Sequence, residues 1–149
     1  MSYTRLLYHI IFRTKYSEPS ILEENETMLY RFIWHFVSDK KAVLHRINGM
    51  PDHLHLLVEL PAYYPVSTFV RELKNTTHWF IDQNKQCFPN FYAWSVGYCA
   101  LSYGNSEKQK IINYIKNQKT HHQTVSFEDE IKQLLAEEEI DYSPEYFNL

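Results

Sequence analysis

The sequence predicts an α+β fold, and two observations carry the prediction. Short segments dense in β-branched and aromatic residues are interleaved with longer segments whose apolar residues recur at helical spacing. Their order along the 149 residues is strand, helix, strand, strand, helix, strand, helix, helix. Two strand–helix–strand passes of that kind make the ferredoxin-like (RRM-like) plan, a four-stranded antiparallel sheet with helices on one face, here with C-terminal helices added.

Residues 3–14 (YTRLLYHIIFRT) read as the first strand. From Glu23 to Ser38, Leu22, Met28, Leu29, Phe32, Ile33 and Phe36 fall at helical spacings, and acidic residues gather in the first turn, where the helix dipole favours them. Residues 42–47 and 53–60 are apolar runs either side of Asn48-Gly49-Met50-Pro51-Asp52, which reads as a hairpin turn. A second amphipathic helix spans about 66–83, burying Val66, Phe69, Val70, Leu73 and Phe80 and leaving Arg71, Lys74 and Asn75 on its other side. Residues 95–103 alternate as a fourth strand. A third helix is expected over 106–120, with Ile111, Ile112 and Ile115 on one stripe. The last opens at Ser126, with Asp129 three positions on as in a capping box, and runs through Ile131, Leu134 and Leu135.

The length fits a single domain over 1–149, ending in an acidic helix and tail from about 126. Residues 1–125 hold 14 Lys and Arg against 10 Asp and Glu, whereas 126–149 hold 1 against 8, so the net charge of −3 belongs to the tail. The modestly basic body, with Tyr and Phe among its cations, suits phosphates and unpaired bases. No apolar run is long enough to cross a bilayer, and the N-terminus lacks the apolar core of an export signal. Cys87 and Cys99 form no C-x-x-C pair, so a cytoplasmic setting is expected and a disulfide framework is not. Three glycines cannot build a phosphate-binding P-loop.

The sharpest chemical feature is His53-Leu54-His55 at the start of a strand. Side chains alternate across a strand, so the imidazoles share one face about 6–7 Å apart along the backbone. They form either a platform for one metal ion or two half-buried histidines bonded to backbone or water. Tyr114 and Gln118 lie four apart on the third predicted helix, roughly 40° apart around its axis, so both can reach one site. A phenol is a usable nucleophile toward a phosphodiester and an amide oxygen is a neutral ligand, although an amphipathic rim Tyr beside a surface Gln has the same spacing. Asp52 either orients His53 or serves the turn. Arg13, Lys15, Arg71, Lys74, Asn75, Lys116 and Lys119 are the candidate DNA-backbone contacts. His121 and His122 are expected near DNA or solvated rather than on a metal. His9, His35, His45, His78 and the cysteines are assigned to packing and surface.

In order and spacing, YHIIFRTKY, PDHLHLLVELP, VRELKNTTHWF, GYCALSY, INYIKNQKTHH and SFEDEIKQLL resemble the single-domain transposases of the HUH, single-tyrosine class of bacterial and archaeal insertion sequences, a superfamily that includes REP-associated tyrosine transposases. The resemblance covers nearly the whole chain. It implies that His53, His55 and Gln118 hold a divalent metal, Mg²⁺ or Mn²⁺, and that Tyr114 is the nucleophile. It further implies cleavage and rejoining of single-stranded DNA through a 5′-phosphotyrosine, recognition of hairpins at element ends, and a homodimer with composite active sites, the tyrosine helix of one subunit serving the histidines of the other. Two imidazoles and an amide leave metal positions open for a phosphate oxygen, in keeping with that chemistry.

The competing reading is a non-catalytic module for single-stranded nucleic acid, since ferredoxin-like sheets also present aromatic residues to bases. A domesticated relative acting on repeated chromosomal hairpins would keep the catalytic residues. A two-histidine RNA phosphoesterase would need a second H-x-S/T motif, which this chain lacks.

Overall fold

A computed structural model describes residues 1–143, so the last six residues of the acidic tail lie outside the described part. The elements are β1 (Leu7–Arg13), α1 (Glu23–Asp39), β2 (Val43–Met50), β3 (His53–Glu59), α2 (Val66–Gln83), β4 (Cys99–Tyr103), α3 (Lys108–Lys116), α4 (Gln118–His121) and α5 (Phe127–Glu137). The four strands make one antiparallel sheet in the order β2-β3-β1-β4. This is the α+β, ferredoxin-like arrangement that the element order predicts.

Alternation along the two central strands sorts the core into two layers. Ile10 and Phe12 of β1 and Leu54, Leu56 and Val58 of β3 pack with Leu29, Ile33 and Val37 of α1 and Phe69, Val70 and Leu73 of α2. Their alternate neighbours face the other way. Leu7 and Leu57 meet Ile111 and Ile115 of α3, while Ile11 and the β4 residues Cys99 and Leu101 meet Phe127, Ile131, Leu134 and Leu135 of α5. The C-terminal helices therefore cover the second face of the sheet. His9, His53 and His55 lie on that face, at 0%, 1% and 0% exposure, roofed by α5 instead of open to water.

The first strand starts at Leu7 instead of residue 3, and three further boundaries differ from the sequence reading, each for a local reason. The β2–β3 turn shrinks to Pro51-Asp52, because Asn48, Gly49 and Met50 pair with His55, Leu54 and His53. Gly49 is required there: a Cβ would sit 2.2 Å from the His53 carbonyl oxygen. The fourth strand begins at Cys99, since Trp94 leaves the sheet margin after a single bridge to Thr14. The third predicted helix breaks at Asn117 (φ −93°, ψ 14°), giving α3 and the one-turn α4. Ser126 caps α5 as expected, accepting the Asp129 backbone N–H at 3.2 Å. Among the described residues no helix is long and apolar enough to cross a membrane.

Candidate active site

The turn that carries Asp52 is fixed before any side chain is considered. Thr14 donates its backbone N–H to the Asp52 carbonyl at 2.9 Å, and the N–H groups of Ser20 and Ile21 converge on the Pro51 carbonyl at 3.0 and 2.9 Å. Asp52 then accepts from His53 Nδ1 at 2.7 Å. That hydrogen bond holds the Asp52 carboxyl below its ordinary range against the opposing effect of its burial. It also fixes the His53 tautomer with the proton on Nδ1 and turns the Nε2 lone pair inward. His55 is held similarly from behind, its Nδ1 lying 2.9 Å from Nε2 of His9.

The inward atoms meet those of two further residues. His55 Nε2 lies 3.2 Å, His122 Nε2 2.9 Å and His53 Nε2 3.8 Å from Glu130 Oε1, and the two ring nitrogens of His53 and His122 are 3.2 Å apart. One ligand atom from each of His53, His55, His122 and Glu130 lies within 4.8 Å of all the others. Adjacent ligands of an ion bound at about 2.1 Å are spaced roughly 3 Å apart, so a divalent cation fits the set by distance as well as by donor type. Converging lone pairs repel unless a proton or cation sits among them. Gln118 adds a second mark of fit: its Oε1 is buried with no hydrogen-bond partner, while its Nε2 donates to Glu130 Oε2 at 2.9 Å.

Tyr114 reaches the same carboxylate, its hydroxyl donating to Glu130 Oε2. Its ring stands edge-on to His9 and His55, with centroids 5.8 and 6.0 Å away. A cleft of about 590 Å³ opens beside it, with Tyr103, Lys110, Asn113 and Glu137 in its walls. Burial, and then the adjoining Glu130 charge, push the Tyr114 phenol above its ordinary range. Burial alone would raise Glu130, but hydrogen bonds from His122 and His55 outweigh it and keep this carboxyl ionised far below its usual range. Burial lowers His55 to about 4, against the upward pull of Glu130. For His122 burial also lowers, but the Glu130 hydrogen bond and charge win and its pKa rises. The difference follows from access: His55 is wholly enclosed, whereas His122 lies nearer the surface.

Of the residues singled out in the sequence, His53, His55, Tyr114, Gln118 and Asp52 are thus brought to one place. The expected solvation of His122 is corrected: its side chain is 5% exposed and lies between His53 and Glu130. Glu130 was passed over in the sequence, although Phe127, Glu130, Ile131, Leu134 and Leu135 form one i, i+3, i+4 stripe, and a carboxylate on an apolar stripe was the available signal. Arg71 and Asn75 are exposed on α2, across the sheet from the histidines. Lys74 is occupied, donating to the carbonyls of Ser95, Val96 and Gly97 at 2.8, 3.2 and 2.7 Å, and its burial lowers its pKa to about 8. Lys119 donates to Glu26 and Asn48 at 2.9 and 3.0 Å, while Lys116 is exposed.

Arg13 and Lys15 border a small surface hollow with Tyr16 and Val96 at the end of β1. The Arg13 guanidinium stands 5.1 Å over the Phe127 ring, which in turn lies 4.5 Å from His53. Tyr16, 80% exposed and held at φ 63°, stacks on exposed Tyr92 with centroids 6.2 Å apart, and Lys15 lies over both rings. A non-glycine residue in the left-handed region costs free energy, and here it holds an aromatic ring out in water.

Comparison with known proteins agrees with this architecture. Two solved structures share the fold: a Deinococcus radiodurans chain assigned as a transposase (TM-score 0.59, 24% identity, covering 78% of this chain and 93% of that one) and a REP-associated tyrosine transposase bound to a REP hairpin (TM-score 0.62, 17% identity, 84% and 73%). The ISDra2 transposase TnpA of Deinococcus radiodurans is 25% identical over 118 residues, covering 76% of this chain and 84% of the relative. The transposase of insertion sequence IS200 from Salmonella typhimurium is 27% identical over 115 residues, covering 74% and 75%. The family model for IS200-like transposases matches residues 2–118, and on that match the chain belongs to the IS200-like transposase family.

Proposed function

We propose that this protein is a metal-dependent DNA transposase that cleaves and rejoins single-stranded DNA through a 5′-phosphotyrosine on Tyr114, acting at hairpin-bearing element ends. The observation that carries the reading is the meeting of a phenol, a buried carboxylate and three imidazoles at one end of the sheet. His53 and His55, whose inward nitrogens converge, would hold the ion, with the buried, unpartnered Gln118 Oε1 as the third ligand of this reading. Bound Mg²⁺ or Mn²⁺ would polarise a non-bridging phosphate oxygen and offset charge developing in the transition state.

The chain's own residues account for the rest. Tyr114 Oη attacks phosphorus, the bond from phosphorus to the 3′-oxygen breaks, and the departing oxygen leaves as a 3′-hydroxyl with the proton that the phenol gives up and Glu130 relays. The phenolic proton passes to Glu130 Oε2, the acceptor it already faces. Rejoining is the reverse with a different 3′-hydroxyl, which restores the phenol and requires no ATP. α5 and Phe127 cover the histidine side of the site, while the cleft beside Tyr114 leaves the phenol open to a DNA strand.

The test is incubation of the protein with labelled single-stranded hairpin DNA from the flanks of its own gene, with Mg²⁺ or Mn²⁺, followed by denaturing gel electrophoresis. A metal-dependent covalent adduct is expected from the wild type and none from Tyr114→Phe. Binding without an adduct would favour the non-catalytic module. The hollow beside Arg13 supports a path for the strand, in which an unpaired base stacks on Tyr16 or Tyr92. Replacing both tyrosines with alanine is expected to weaken single-strand binding by about 1–3 kcal/mol per base lost, measured by fluorescence anisotropy. Equal affinity of the variant would remove this hollow from the path.

A further inference from the structure

We propose that Glu130 is a bridging carboxylate: with His122 it ligates the divalent ion through Oε1, and through Oε2 it positions Tyr114 and Gln118. The inference rests on the proposed metal-dependent function but adds two ligands that the family match cannot supply, because that match ends at Gln118. They come from α5 and the short connection before it.

The first support is convergence. Glu130 Oε1 lies 2.9 Å from His122 Nε2 and 3.2 Å from His55 Nε2, and both side chains of the Glu130–His122 pair are almost fully enclosed. The second is the division of labour between the carboxylate oxygens. Oε2 accepts from the Tyr114 hydroxyl and from Gln118 Nε2 and has His121 Nε2 at 3.4 Å, so the groups of the helical pair α3–α4 sit on one oxygen and His53, His55 and His122 sit on the other. A carboxylate can only accept, so the Gln118 amide must turn its NH₂ toward Glu130, which leaves its Oε1 as the unpartnered buried oxygen. The third is chemical. A purely structural carboxylate at this depth would be served by one or two donors, whereas this one faces nitrogens of His53, His55, His121 and His122 within 2.9–3.8 Å. Three imidazoles and a carboxylate also make a nitrogen-rich set, which suits Mn²⁺ better than the oxygen-seeking Mg²⁺.

The experiment is Mn²⁺ titration of the metal-stripped full chain by calorimetry, together with electron paramagnetic resonance of the bound ion, for wild type, Glu130→Gln and His122→Gln. Both variants keep side-chain volume, and thermal melting in chelator checks that each is folded. Glu130→Gln and His122→Gln are each expected to weaken Mn²⁺ binding about tenfold or more, and Mg²⁺ is expected to compete poorly for the wild-type site. If one variant fails to fold, the other decides. Wild-type affinity in a folded variant overturns the assignment, as does a wild type that binds no Mn²⁺. Adduct formation by the wild type, scored separately, keeps the outcomes distinct: an adduct with unchanged Mn²⁺ affinity in the variants sinks the bridging role and leaves the transposase reading standing, and ligand loss without any adduct does the opposite.

Discussion

A one-to-one mixture of Tyr114→Phe protein with His53→Ala/His55→Ala protein is expected to form no covalent DNA adduct, although each variant carries the half of the site that the other lacks. In a composite dimer the tyrosine helix of one subunit would serve the histidines of its partner, and mixing would restore a sizeable fraction of wild-type adduct. A single chain here brings Tyr114 to its own Glu130, and that carboxylate to its own histidines. Exchange would require α3 and α4 to leave their sheet. Asn48 Nδ2 donates to the carbonyls of Ile115 and Lys116, each at 3.1 Å, and Lys119 is tied to Glu26 and Asn48. Ile111 and Ile115 are buried against Leu7 and Leu57, and exposing those two isoleucines alone would cost about 3–6 kcal/mol. The readout is the adduct band at equal total protein, with both variants checked for folding. A band near roughly a quarter of wild-type intensity, the share of intact composite sites that random re-pairing of the two variants would leave, would show a shared site and refute self-sufficiency of the chain.

The fold was legible because the first two helices bury one stripe each, Leu29, Ile33 and Val37 repeating every four residues, while the central strands are covered on both faces and read as dense apolar and aromatic runs, with His9, Ile10, Ile11 and Phe12 all buried. His53 and His55 were legible because alternation along a strand puts them on one side, whereas Tyr114 and Gln118 were picked out by the family resemblance, the helix that their spacing presumed being broken between them at Asn117. Glu130 and His122 were not. The apolar stripe of α5 marks Glu130 as inward-facing, but which residues it meets depends on how α5 lies over the sheet, and no local period encodes that. His122 follows a one-turn helix, and its partner Glu130 is eight positions on. The break at Asn117 was hidden too, because residues 106–120 read as one uninterrupted helix. Lys74 illustrates the reverse error. Its place on the polar side of α2 suggested a contact for DNA phosphates, but the 95–97 loop folds back and its carbonyls accept the ammonium's hydrogen bonds.

Metal-free protein is expected to lose several kcal/mol of folding stability between pH 7 and pH 4, with the loss beginning near 6.5. The sign follows from the buried imidazoles. Burial lowers His55 to about 4 and holds His9 well below its ordinary value, so the unfolded chain binds protons at pH 6.5 to 4 that the folded chain refuses. The stability these groups contribute is complete above 6.5 and falls with pH until the folded pKa is reached. For His55 alone, 0% exposed, the loss by pH 4 is on the order of 3 kcal/mol, a large part of the roughly 5–15 kcal/mol that stabilises an ordinary domain. Glu130, held far below its usual range, extends the loss below 4.5. His122 acts in the opposite sense because its pKa is raised: its contribution is present in acid and lost as pH rises through the folded pKa. One such group cannot offset His9, His55 and Glu130 together. Urea midpoints in chelator at fixed ionic strength measure the slope, and His9→Gln should flatten it by removing one refused proton. Saturating Mn²⁺ should raise stability at pH 7 and lose that advantage on acidification, since protons compete for the same lone pairs. A midpoint that stays level from pH 7 to 5 in chelator would mean that the folded chain admits protons to this cluster, and that the histidines are less enclosed than α5 makes them.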